Sequence, residues 1–395
     1  MIFNLKSKRN IVQLTFIAIP TFILYVIANG NGIRLTDDSH TYVACSCILQ
    51  ARGFWQILQE PLCPPLFTLF LTFLGNHLIF KTAIVNGILL MMNSLIFGLI
   101  GLQLIRSIYF QWFFLISLVF SADLMMVHSM LWSEPLFIFI LSCQTYWLIK
   151  YMNHQRTKFI LYVTLAGIAL TLQRRTGIFI NLAMVIAILS VTWRSKKVTL
   201  SPYLILLLAT IFSGLILWEV YLRFSTDLPV SVFSLPDLVG FFPTTENYLN
   251  ALSLWILPLP LPQTLRLIVA LLVVLVLVSG FIWVPHRVGR SLLFIWLSYF
   301  VLRLFWPRYD LDEAQRYLAV VYPLFALSFV IFIEYLTLLL QKQKRAIAIV
   351  ILSIWLLYPM IRTVKNAVLY HNIKRETVTI LSFLDQTQLI NRRRR

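Results

Sequence analysis

Apolar runs with almost no charge inside them succeed one another along the chain, and this limits its fold more than any motif does. They fall at about 11–28, 65–80, 84–105, 108–122, 134–149, 159–172, 177–193, 202–222, 265–283, 291–306, 317–340 and 346–361. Several are shorter than the ~20 residues that a perpendicular transmembrane helix needs. Soluble domains carry roughly 25% charged residues. Here 12% of 395 residues are charged and 59% are hydrophobic, too little polar surface to cover a water-soluble core. A soluble enzyme, a disordered chain and a disulfide scaffold are excluded. The expected fold is an all-α polytopic membrane protein.

The charges between the runs give an orientation. The weak run is 65–80, opened by Pro64 and Pro65 and interrupted at Gly75, a pattern that suits a short helix. If it does not cross, one set of loops holds Lys6, Lys8, Arg9, Arg106, Lys150, Arg156, Lys158, Arg194, Lys196, Lys197, Arg287, Arg290, Lys342, Lys344 and Arg345, with no acid among them. Such an excess marks the cytoplasmic side. Letting 65–80 cross turns the clusters after residue 84 outward. The expectation is therefore eleven spans within a single domain, 1–361, in a cell (inner) membrane. The large outer loops are 29–83, containing a juxtamembrane helix, and 225–264, which is proline-rich. The basic tail 362–395 then lands outside: either 346–361 is not a full span, or the tail is a basic extension lying on an anionic membrane surface. The first run lacks a small-x-small cleavage site and reads as an uncleaved span.

The four cysteines match no zinc spacing. Cys45 or Cys47 can pair with Cys63 if their loop faces an oxidising side; the alternative is free thiols. The formal charge of +18 invites a nucleic-acid partner, but no basic face interleaved with aromatics is present, and loop orientation accounts for the excess. Walker and dinucleotide glycine patterns, HExxH and a nucleophile elbow are absent.

Four outer segments concentrate the remaining charge. The first runs Arg34-Leu-Thr-Asp37-Asp38-Ser39-His40-Thr41-Tyr42. Thr36, Asp37 or Ser39 can cap a helix ending near Gly53, and Asp38 and Tyr42, four apart, share its face. These acids suit a general base, a metal ligand, or simple capping. The second contains Asp123, His128 and Ser133-Glu134-Pro135, where Glu134 complements a helix start. The third is Gln173-Arg174-Arg175-Thr176-Gly177; its guanidinium pair suits phosphate oxygens or lipid headgroups. The fourth, Arg308 to Tyr317, sets Asp310, Asp312 and Glu313 beside Arg308 and Arg316 at a helix entrance.

Asp38-Ser39-x-x-Tyr42-x-Ala44, Gly53-Phe54, Pro64-Pro65-Leu66, then Ser133-Glu134-Pro135-Leu136-Phe137 and finally Arg316-Tyr317 with Tyr322-Pro323 resemble the C-class (GT-C) glycosyltransferases. These multi-pass enzymes use polyprenyl-phosphate-linked sugars and include the protein O-mannosyltransferases and lipid A aminoarabinose transferase. The resemblance covers most of residues 1–325 in order. Where that family has Asp-Glu four before a Tyr, this chain has Asp38-Ser39, with Asp37 as an extra acid upstream.

The resemblance implies a GT-C-like bundle whose outer cleft holds the phosphate of a polyprenyl-phosphate-linked donor on Arg174, Arg175, Arg308 or Arg316. Asp38, with Asp37 or Asp123 near it, is the implied base for an acceptor hydroxyl on a glycan, lipid or protein. Tyr42, His128, Glu134 and Tyr317 are the other implied binding residues. No cofactor is assigned; the resemblance leaves room for a divalent metal, without a ligand set. The competing expectation is a transporter or flippase of an anionic or lipid-linked substrate, which needs inverted repeats and charges at the bilayer midplane. No repeat is visible, and the charges lie at helix ends, with Arg303 the main exception.

Overall fold

The computed structural model describes residues 8–53, 64–154, 156–195, 241–283, 287–305, 311–339 and 342–372. Among them the fold is all-helical, with a single parallel bridge between Arg34 and Met130. In chain order the helices are α1 Lys8–Asn29, α2 Asp37–Arg52, α3 Pro65–Leu74, α4 Leu78–Leu104, α5 Ile108–Val119, α6 Ala122–His128, α7 Glu134–His154 and α8 Thr157–Gln173. There follow α9 Gly177–Ser195, α10 Phe241–Ser253, α11 Gln263–Trp283, α12 Arg287–Leu304, α13 Leu311–Ala319, α14 Tyr322–Leu339 and α15 Lys342–Asn372.

Five described segments are long and apolar enough to cross a membrane: Lys8–Asn29, Leu78–Leu104, Ile108–His128, Gln263–Gly280 and Ala346–Asn372. The pair α13 and α14, bent by 68°, makes a sixth if it acts as one broken span. The other expected spans are not among these: α8 has 17 residues, the described side chains of α9 end at Ile188, α7 carries Glu134 and Lys150, α12 carries Arg287, Arg290 and Arg303, and 202–222 lies outside the described residues.

The first loop folds as its sequence suggests. The Thr36 backbone N–H donates to Ser39 Oγ at 3.0 Å, half of a capping box, and α2 ends at Gly53 with φ +81°. Helix α3 starts on Pro65 after Pro64 and stops at Gly75, φ +58°. Ten residues rise only ~15 Å, half of a ~30 Å hydrocarbon core, so α3 cannot cross alone. Its Phe67 and Leu71 are buried against Tyr42 and Val43 of α2 and Leu131, whereas Phe73 is 88% exposed. The Tyr42 and Phe67 rings meet edge-on at 5.1 Å. This small core fixes the face of α2 that bears Asp38.

Within the main bundle, α1 lies close on α4 because the contact points of α4 lack side chains. A Cβ at Gly87 would fall 2.7 Å from the Tyr25 ring, and one at Gly98 2.6 Å from Ile17, the small-residue packing that apolar helices use in lipid. Buried amides then tie helices together. Asn86 Nδ2 donates to the carbonyls of His128 (3.1 Å) and Met130 (3.0 Å). At the opposite end from the first loop, Glu334 accepts the backbone N–H groups of Arg106 (3.0 Å) and Ser107 (2.5 Å), placing an anion at the N-terminus of α5.

Two segments depart from expectation. Residues 121–133 are not an open turn: α6 occupies half of them and its Asp123 and His128 are buried. Helix α15 runs on to Asn372, so residues 362–372 belong to the bundle and not to a basic surface extension. The end of α15 is fastened to the first loop, with Asn31 Nδ2 donating to the His371 carbonyl at 2.7 Å and Arg34 stacked over Tyr370 at 4.7 Å. Cys45 is disulfide-bonded, whereas Cys47 and Cys143 are free thiols.

Candidate functional site

Three chain segments converge on Glu134. The segment after α1 is held by the Arg34–Met130 bridge, in which Arg34 N donates to Ser129 O and Leu131 N to Arg34 O, both at 3.0 Å. Trp132 Nε1 donates to Thr36 Oγ1 at 2.7 Å, setting the cap of α2 against the start of α7. The turn after α8 is drawn in by Gln173, whose Nε2 donates to the Ser133 carbonyl at 2.8 Å. Gly177 closes that turn, because a Cβ there would stand 2.6 Å from the Leu170 carbonyl. Asp38, Glu134 and Arg174 are thus delivered by backbone geometry, and α13 adds Arg316 and Tyr317.

The Glu134 side chain is fully buried and ion-paired with two guanidiniums. Arg316 Nε donates to Oε1 and Nη2 to Oε2 (3.2 Å), and Arg174 Nη1 pairs with Oε1. The remaining Arg316 nitrogen, Nη1, donates to Asp38 Oδ2. All three nitrogens of Arg316 are therefore spent on carboxylates, and its face lies 4.1 Å above the Trp132 ring. The Asp38 side chain is 49% exposed, so it presents free acceptor capacity to its surroundings. Tyr42 lies in the same field. Burial raises its phenol above its usual range, while Arg174 and Arg316 pull it down.

Behind Arg174 and Arg316 the Tyr317 ring carries two cations. Arg174 is 4.9 Å from its centroid and Arg303 4.0 Å. Arg303 Nε donates to the Tyr248 hydroxyl at 3.0 Å, and Tyr299 donates to the Tyr317 carbonyl at 3.1 Å. Trp132, Arg303 and Tyr248 were not selected from the sequence as site residues. The only signal was that Arg303 stands alone inside an apolar run.

The other expected site residues lie apart from this cluster or at its margin. Asp37 is exposed at the start of α2. Arg175 is partly exposed in the turn beside Arg174. His128 is in the core, with Nδ1 2.7 Å from the Leu124 carbonyl and Nε2 3.1 Å from Asn93 Nδ2, so both ring nitrogens are engaged by neighbours. Arg308 lies outside the described residues.

Asp123 belongs to a second network. It is buried, accepts from Trp255 Nε1, and pairs with Arg362 Nη2 of α15 at 2.9 Å. Arg362 also donates from Nη1 to the Leu254 carbonyl (2.8 Å) and from Nη2 to Gln315 Oε1 (3.5 Å). A small recess lies here between Trp255, Tyr322, Pro359 and Arg362. Gln315 and Arg316 are neighbours on α13, so that one helix borders both networks.

Among the described residues no three of His, Cys, Asp and Glu are grouped as a metal would require. The donor set also argues against an ion: Glu134 and Asp38 already face guanidiniums, which a divalent cation would have to displace. In comparison with known proteins, no family model matches the chain, and no curated protein matches its sequence.

Proposed function

We propose that this chain is an integral-membrane glycosyltransferase. It would move a sugar from a polyprenyl-phosphate-linked donor to an acceptor hydroxyl on the outer face of a cell (inner) membrane, within a C-class bundle of about eleven spans. The observation that carries the reading is the first-loop acid. Asp38 stands against Arg316, 278 residues later in the chain, beside a second arginine, with one carboxylate face open. A half-exposed carboxylate beside paired guanidiniums is what an acceptor hydroxyl and a phosphate leaving group together require.

In the reaction the Asp38 carboxylate takes the acceptor hydroxyl proton as that oxygen bonds to the anomeric carbon. The bond from the anomeric carbon to the phosphate oxygen breaks, and its electron pair leaves with the polyprenyl phosphate. Guanidiniums stabilise the developing charge, so no general acid is needed. One displacement inverts the anomeric centre. Asp123 is engaged by Trp255 and Arg362, which leaves Asp38 as the better placed base of the two. The disulfide at Cys45 supports an oxidising, outward side for the first loop.

The test is reconstitution of the purified chain in nanodiscs with polyprenyl-phosphate-linked sugars and candidate glycan, lipid or protein acceptors. Transfer that disappears in Asp38→Asn, at unchanged protein yield, is expected. Translocation of the intact donor without any transfer would favour a flippase instead.

A further inference from the structure

Among the described residues, Arg303 is the one cation of the cluster with no carboxylate. Its side chain is 2% exposed, Nε is used on the Tyr248 hydroxyl, and Nη2 is buried with no hydrogen-bond partner. Its guanidinium lies 4.0 Å from the centre of the Tyr317 ring and 5.8 Å from that of Tyr248. A buried guanidinium is normally paired, because leaving it alone forfeits its hydration without return. Retaining one unpaired beside two paired arginines is intelligible if its counter-ion is a ligand.

The charge balance specifies that ligand. Arg174, Arg303 and Arg316 are joined through Glu134 and the Tyr317 ring. Among the described residues, two negative charges, Glu134 and Asp38, stand against these three positive ones. One positive charge is left over, and it resides on Arg303. We infer that Arg303, flanked by Tyr248 and Tyr317, binds a monoanionic phosphodiester whose single charge completes the neutrality of the cluster. A diphosphate brings more negative charge than the one guanidinium left without a partner can balance. The cation–π contacts hold Arg303 without neutralising it, so the Tyr317 ring fixes its position while Nη2 stays available.

For the identity of the anion the inference rests on the glycosyltransferase reading: a sugar joined to a lipid through one phosphate is such a diester. The unpaired cation and the charge count stand without it.

The experiment uses the full-length protein in nanodiscs and four probes: the methyl diester of farnesyl phosphate, farnesyl phosphate, farnesyl diphosphate and uncharged farnesol. Binding is measured by titration calorimetry, and ligand-free stability by thermal unfolding. The wild type should bind the diester at least ten-fold more tightly than either farnesol or the diphosphate. Arg303→Gln should lose that preference over farnesol while unfolding at the same or a higher temperature, because it removes an uncompensated buried charge. Arg303→Lys should retain part of it. A merely structural arginine gives the opposite pattern, a lowered unfolding temperature with diester binding unchanged, and overturns the proposal. Equal affinity for diester and diphosphate overturns the monoanion assignment. Diester selectivity without sugar transfer in any assay overturns the transferase reading alone. Transfer that survives Arg303→Gln at wild-type rate and affinity overturns the Arg303 site alone.

Discussion

Arg316 holds Glu134 from two of its nitrogens, Nε and Nη2, across 182 residues of sequence, and reaches Asp38 with the third. One guanidinium thereby joins the start of α7, the start of α2 and the α13–α14 bend. Its fork geometry suits this: lysine offers a compact point charge and cannot grip two carboxylates in one plane. Glu134 is wholly buried and Asp38 half exposed. The same arginine therefore makes two bonds that belong to the fold and one that a ligand can reach.

Removing the buried partner should damage folding. Glu134→Gln leaves Arg174 and Arg316 facing each other without their shared anion, and breaking a buried pair costs about 3–5 kcal/mol. We expect a marked fall in folded yield, read by fluorescence-detected size exclusion and thermal unfolding in detergent. A yield and midpoint equal to wild type would mean that the ion pairs around Glu134 contribute nothing to the fold.

The exposed partner should behave differently. An ion pair with one side open to solvent contributes about 0–1 kcal/mol, so Asp38→Asn should shift the unfolding midpoint little. A lost general base costs roughly 10²–10⁴ in rate, so transfer should fall by that factor. Asp37→Asn, on the exposed side of α2, should leave both quantities near wild type. Transfer rates and midpoints measured together for the two variants check this; an equal loss in both would remove the distinction between the adjacent acids.

Local signals were legible in the sequence where they rest on backbone chemistry. The cap at Thr36 and Ser39, the stop at Gly53, and the short helix between Pro65 and Gly75 follow from residues that restrict φ or supply a cap. Asp38, Glu134, Arg174 and Arg316 stood out because charge is scarce in an apolar chain. Their meeting was not legible, because it depends on tertiary ties such as Trp132 to Thr36 and Gln173 to Ser133, made by residues unremarkable in sequence. Arg362 was misplaced for the complementary reason. Its basic neighbours read as a surface tail, whereas apolar residues at helical spacing carry α15 through Asn372, and the buried Asp123 accounts for the arginine. Arg303 was visible as an anomaly, but that no carboxylate among the described residues pairs with it is a property of the folded chain alone.

The Asp123–Arg362 pair should act as a fastening for α15. Arg362 donates to three separate elements, Asp123 of α6, the Leu254 carbonyl after α10, and Gln315 of α13. Asp123→Asn and Arg362→Gln should each loosen the end of α15, seen as faster proteolysis and hydrogen exchange after residue 355. In a double-mutant cycle on unfolding, groups in direct contact couple by about 0.5–3 kcal/mol. Strict additivity, with α15 equally protected in both variants, would show that the pair does not hold the helix.

The orientation of the first loop makes the last prediction, because a site fed by a lipid-linked sugar must face away from the cytoplasmic supply of nucleotide sugars. Helix α4 spans Leu78–Leu104, 27 residues or ~40 Å at 1.5 Å each, long enough to place its two ends on opposite sides of a ~30 Å hydrocarbon core. Lys81 precedes its apolar stretch, and Arg106 follows it beside the Glu334 cap. In a background with Cys47 and Cys143 replaced by Ser, Lys81→Cys should react in intact cells with a membrane-impermeant maleimide. Arg106→Cys should react only after the membrane is opened. The reverse pattern would put Asp38 and Glu134 on the cytoplasmic face and rule out an outward-facing transferase.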